Sequence, residues 1–189
     1  AAVLPQQADW LPVMLREMEA RNLDVLSAVV PLKTEAGLTS TAIDLSGEPT
    51  FHRWANRRLS MTEVMELPVT FGTEEVYERF LPDWKYNKAL LINTGLLLVD
   101  FRKPWVTKFR FTVSDEILEL PDGTFKAFAE SEDWYMGRWL AERGIPYAAT
   151  RAVKLAHSGT ARYENDSAWG TLATDNESPA YLVKQLVAA

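Results

Sequence analysis

An amphipathic helix that runs almost directly into a β-branched apolar segment constrains the fold of this chain more than any other feature. In ADWLPVMLREMEARN (8–22), Leu11, Met14, Leu15 and Met18 recur at i, i+3, i+4 and i+7, which gives one apolar face. Asp9 stands where an N-cap belongs, and Asn22 can close the helix in the left-handed conformation. DVLSAVVPL (24–32) follows at once, and such a run suits a strand buried on both faces. A helix leading into a buried strand predicts an α/β layer arrangement.

The rest of the chain supplies further elements of both kinds. GLTSTAIDLSGEP (37–49) is Thr-rich and predicts extended chain that turns at Gly47 and Pro49. EEVYERF (74–80) predicts a short helix within an otherwise mixed stretch, 51–88. ALLINTGLLLV (89–99) is the most strand-like segment. Asp122-Gly123 lies between two alternating stretches and predicts a β-hairpin near 111–129. Ser131 is a good N-cap for a helix whose stripe is Tyr135, Met136, Trp139, Leu140 and Arg143, with Gly144 at its end. IPYAAT and AVKLAH predict short strands, and YLVKQLVAA (181–189) a terminal helix. No repeat or low-complexity linker divides the 189 residues, so the chain reads as one domain over 1–189.

Composition excludes several classes. With 47% hydrophobic and 24% charged residues the chain has the makeup of a globular protein. A net charge of -6 argues against wholesale binding of nucleic acid. The absence of cysteine removes disulfides, thiolate metal sites and thiol nucleophiles, and fits a reducing, cytoplasmic setting. No apolar run reaches the roughly 18 residues of a membrane helix. GxGxxG, Walker, GxSxG and HExxH motifs are all missing.

The residues with chemistry in reach are few. Glu132 and Asp133 open the helix that follows Ser131, where carboxylates favour the positive end of the dipole. Adjacent residues do not share a helix face, so at most one can point into a site, where it could serve as a general base. His157 ends an apolar strand beside Ser158-Gly159; it is either a polar strand-end residue or a metal or phosphate ligand. Arg53, Arg57 and Arg58 near Trp54 read as a solvated basic face, with a phosphate or sugar contact as the alternative. His52 reads as structural or surface, and most of the seven tryptophans as core.

Taken in order, NTGLLLVD (93–100), SEDWYMGRWLAERG (131–144) and AHSGTARY (156–163) resemble the later part of family 2 glycosyltransferases of the GT-A fold. The early helix and strand, through PLK (31–33), look like the segment after that family's Asp-x-Asp motif. The resemblance implies a GT-A-like mixed sheet flanked by helices. It also implies an activity: transfer of a sugar from a nucleotide-sugar donor to an acceptor hydroxyl, with inversion and assisted by a divalent cation, Mn²⁺ or Mg²⁺. It makes Asp133 the general base, Glu132 its neighbour in the acceptor loop and His157 a metal or diphosphate ligand. Gly95 becomes the small residue that lets the acceptor approach, and Gly95 and Arg162 the positions on the nucleotide-sugar side. The acceptor would be a glycan, lipid or protein hydroxyl.

The chain departs from the family by having no Asp-x-Asp. The expectation is therefore the acceptor-side portion of such a domain. The alternative is a non-catalytic binding module or inactive fragment whose sheet is completed by an oligomer or partner chain. A hydrolase using Glu132 and Asp133 as a pair is disfavoured, because neighbours on one helix poorly span a glycosidic bond.

Overall fold

The first helix buries Met14 and Met18 but leaves Leu11 and Leu15 exposed in the computed structural model, which describes residues 2–48, 51–119 and 123–177. The buried face is rotated from the expected stripe because the helix packs on Leu26, Ala148 and Val153 with Trp10 and Val13 at its flanks. Asp9 makes no side-chain cap, and its carboxylate takes an N–H from Gln7 instead. Asn22 does close the helix, at φ 51.

In chain order the elements are β1 (Ala2–Pro5), α1 (Trp10–Ala20), β2 (Val25–Ala28), β3 (Leu38–Asp44), β4 (Asn56–Ser60) and α2 (Met61–Glu66). There follow β5 (Thr70–Phe71), α3 (Thr73–Phe80), β6 (Leu90–Leu91) and β7 (Leu97–Val99). Last come β8 (Ser114–Glu119), β9 (Phe125–Glu130), α4 (Glu132–Glu142), β10 (Tyr147–Thr150), β11 (Leu155–Ser158), β12 (Arg162–Glu164) and a 3-10 turn at Asp175–Glu177. The protein is thus mixed α/β, richer in strand than helix, with four α-helices among the described residues. The hairpin, α3, α4 and the strands at 147–150 and 155–158 lie where the sequence places them. The expected helix over 181–189 lies outside the described residues.

Four small sheets share the strands. In the order β5-β10-β2-β7, β10 runs parallel to β2 and the outer strands run antiparallel. β2 is buried along its whole length, as its composition demands. β1-β11-β12 and β4-β3-β6 are antiparallel, and β8-β9 is an isolated hairpin. Within the 51–88 stretch the sequence reading found only α3; it missed β4, β5 and α2, whose Ser60–Glu63 capping box is complete.

Segment 89–99 is not one strand. It breaks at Asn93–Gly95 into β6 and β7, which belong to different sheets. The break is built by Asn93, whose buried amide donates to the Ala28 carbonyl at 2.8 Å and accepts the Gly95 N–H at 3.0 Å. Ser27 adds a hydroxyl bond to the Asn93 carbonyl at 2.7 Å. The turn is therefore tied down on β2.

The largest apolar cluster includes Val25, Ile43, Phe71, Tyr77, Ile92 and Leu140, so it joins the four-stranded sheet and the β4-β3-β6 sheet to α3 and α4. Helix α4 lies unusually close to β6. A Cβ added at Gly137 would sit 2.7 Å from the Leu90 carbonyl oxygen and 3.1 Å from the Leu91 Cα. Arg138, one residue on, reaches Asp44 of β3 at 3.0 Å and Glu130 of β9. Burial opposes its charge, but the two carboxylates hold its pKa above the ordinary value.

The basic cluster is not a uniformly solvated face. Arg57 is 4% exposed, paired with Glu63 and bonded to Thr174 at 2.9 Å. Arg58 lies over the Trp134 ring at 4.5 Å, and only Arg53 is largely exposed.

Candidate functional site

The Asn93–Gly95 turn and the start of α4 meet, and β11 lies next to the turn across β1. The same strand fixes the first two: β6 runs under α4 at Gly137 and then enters the turn. Ser131 caps α4 by accepting the Trp134 N–H, and Trp134 donates its indole N–H to the Ser40 carbonyl at 3.0 Å. The first turn of α4 is thus pinned to β3, and Asp133 faces the Asn93–Gly95 turn. There the Thr94 hydroxyl donates to its Oδ1. Its other carboxylate oxygen has no hydrogen-bond partner among the described residues. Glu132 is exposed and makes no ion pair among them. The two acids point different ways, as neighbours on a helix do: Asp133 is part-buried and Glu132 faces solvent.

Gly95 follows Thr94. A Cβ there would meet Asn93 Oδ1 at 3.2 Å, Val3 Cγ2 at 3.3 Å and Val30 Cγ2 at 3.4 Å. Val3 is the register partner of His157 across β1 and β11. His157 also reaches back to the same loop: its Nδ1 lies 2.7 Å from the Pro31 carbonyl oxygen, next to Val30. A carbonyl only accepts, so Nδ1 carries a proton and donates it to Pro31. Asp133 thus meets the turn directly through Thr94, whereas His157 is linked to it only through its register partner Val3.

Arg162 is not part of this group. Val3, His157 and Tyr163 are paired and share one face of their sheet, whereas Ser158 and Arg162 are paired on the other. The Arg162 guanidinium is held by Glu164 at 2.7 Å and by Gln6. It lines a separate cavity of about 550 Å³ with Tyr163 and Trp169.

Sequence reasoning missed two residues that fix this geometry. Asn165 is fully buried; it accepts the Leu155 N–H at 2.9 Å and donates to the Val29 and Val153 carbonyls at 3.1 and 3.0 Å. It locks β11, and so His157, to the end of β2. Thr94 was passed over because nothing local marks a threonine as the partner of a carboxylate 39 residues away.

The donor set does not complete a cation site. No three His, Asp or Glu side chains converge among the described residues. Mn²⁺ and Mg²⁺ take several oxygen ligands, and one imidazole is too few. No described helix is long and apolar enough to cross a membrane. Compared with protein-family models, curated proteins and solved structures, the chain matches none.

Proposed function

We propose that this chain is the acceptor-side part of a GT-A-like glycosyltransferase that moves a sugar from a nucleotide-sugar donor to an acceptor hydroxyl, with inversion. One observation supports the reading: Asp133, oriented by Thr94, has a carboxylate oxygen without a partner among the described residues beside the exposed Gly95 turn. The Asp133 carboxylate removes the acceptor hydroxyl proton as the acceptor oxygen bonds to the anomeric carbon. The bond from that carbon to the diphosphate oxygen breaks, and the nucleoside diphosphate leaves with the electron pair. The described residues alone do not hold the divalent cation that the resemblance implies.

The test is release of nucleoside diphosphate from a panel of UDP- and GDP-sugars, with mixed saccharide acceptors, by the wild type and by Asp133→Asn. General-base loss predicts a fall of about 10²–10⁴-fold. Equal rates in the two proteins would remove Asp133 as the base. No turnover of any donor by the wild type would remove transfer by this chain.

A second reading, a non-catalytic interaction module, draws on the hairpin. Its outer face exposes Val113, Ile117 and Phe125 at 65%, 70% and 70%. Light scattering at increasing concentration separates the readings, since an interaction module of this kind self-associates or captures a partner through that face.

A further inference from the structure

We infer that the cavity between the hairpin and β4 binds an anionic saccharide unit, a sugar ring bearing a carboxylate or a phosphate. The cavity is about 370 Å³, at the small end of ligand-sized sites, and its walls include His52, Trp54, Arg58, Lys126, Phe128 and Trp134.

The aromatic walls are fixed before any ligand arrives. Trp134 is held by its indole bond to Ser40 and by Arg58 over its ring. Phe128 stacks on His52 at 4.2 Å and 15°, and Trp54 meets the same imidazole edge-on at 5.5 Å. Rigid rings offer flat apolar faces to the C–H face of a sugar at little cost in side-chain entropy.

The polar groups set the charge of the ligand. Both His52 nitrogens are engaged: Nδ1 accepts the Trp54 N–H at 3.2 Å, and Nε2 lies 3.1 Å from Glu116 Oε2. That same carboxylate oxygen is paired with Arg53 at 3.1 Å, so the acid of this wall is already neutralised. Lys126 and Arg58 are the cations of the lining. Arg58 is already engaged: its Nη1 bonds the Thr39 carbonyl, and Asp175, bonded to its backbone N–H, also attracts its guanidinium charge. Lys126 has its ammonium 5.0 Å from the Phe128 ring centre and no salt bridge among the described residues. Both side chains are donors without acceptor capacity. Such a lining is matched by a ligand rich in lone pairs and carrying negative charge.

Asp133 precedes Trp134 on α4 but does not line this cavity, so a role for the bound sugar as the acceptor rests on the transfer reading above; its binding does not.

The experiment is tryptophan-fluorescence titration of the chain with four probes: glucuronate, glucose 6-phosphate, glucose and inorganic phosphate. At least one anionic sugar is expected to saturate about tenfold more tightly than glucose and than inorganic phosphate, and the tighter of the two identifies the anion. Lys126→Gln should reduce that affinity about tenfold and leave glucose unchanged. Phe128→Leu should weaken every sugar. Both variants lie on the hairpin, and thermal melts confirm that they fold. Glucose binding as tightly as the anionic sugars would overturn the inference. So would inorganic phosphate matching glucose 6-phosphate, no saturation by either anionic sugar, or an unchanged affinity in Lys126→Gln. Saturable binding without transfer would fail the transfer reading and leave this site standing; transfer without such binding would do the reverse.

Discussion

Thr94 Oγ1 is hydrogen-bonded to Asp133 Oδ1 across 39 residues of chain, and this bond aims the carboxylate at the exposed turn. The two residues meet because β6 is gripped on one side by α4 at Gly137 and continues into a turn nailed to β2 by Asn93.

Thr94 is therefore a positioning residue. Thr94→Val keeps the shape and loses the donor. Under the transfer reading it lowers kcat about tenfold, equivalent to about 1.4 kcal/mol, with the donor KM unchanged. Thr94→Ser restores the rate. Steady-state kinetics on the three proteins decides it, and Thr94→Val at full kcat would detach this bond from function.

Gly137→Ala tests the packing that brings the two together. Alanine normally gains about 1 kcal/mol over glycine inside a helix. Here its methyl meets backbone atoms of Leu90 and Leu91, which have no rotamer to yield. The expected outcome is a loss of about 1–3 kcal/mol, read as a lower urea midpoint at unchanged m-value. A gain in stability would show that α4 can lift off β6.

Arg138→Met leaves Asp44 and Glu130, each about 5% exposed, without their cation. Stranding buried carboxylates costs about 3–5 kcal/mol. Lysine should recover only part of the loss, since one ammonium cannot serve two carboxylates as a guanidinium does. Denaturant melts of the three proteins give the comparison. A Met variant as stable as the wild type would mean that α4, β3 and β9 are joined by apolar contacts alone.

Tyr147 makes a prediction about alkaline pH. Burial pushes its hydroxyl up to about 12, against the opposing pull of bonds from Thr73 and the Leu90 N–H. Tyr77 moves in the same direction, again through burial first. A folded pKa above the unfolded value of about 10 favours the neutral phenol in the native state. The contribution is full below about pH 10 and is lost as pH rises through about 12. Urea melts across that window should show falling stability, with a shallower fall in Tyr147→Phe. Identical slopes would refute a linked Tyr147.

Much of this protein is legible locally. The hairpin, α3, α4 with its Ser131 cap, and Gly144 at φ 61 all follow from residues within a turn or two of each other. The buried face of α1 was only half legible, because periodicity gives the width of a stripe and the neighbouring sheet chooses its centre. Segment 89–99 reads as one apolar strand because composition cannot show that Asn93 will find the Ala28 carbonyl.

The sequence by itself determined where α3, α4 and the hairpin form, that β2 must be buried, and that Glu132 and Asp133 point to different sides of their helix. Those outcomes depend on propensity, capping and period, which act over a few residues. The tertiary structure alone decided that Asp133 bonds to Thr94, that Arg162 lies on the opposite sheet face from His157, that Arg57 is buried and that Arg138 is part-buried between two carboxylates. It also decided that His52 lines a cavity. Each of these depends on partners far apart in the chain: 39 residues from Thr94 to Asp133, 94 from Asp44 to Arg138, 126 from Pro31 to His157. A side chain's role there is fixed by what the fold brings against it, and no local pattern encodes that neighbour.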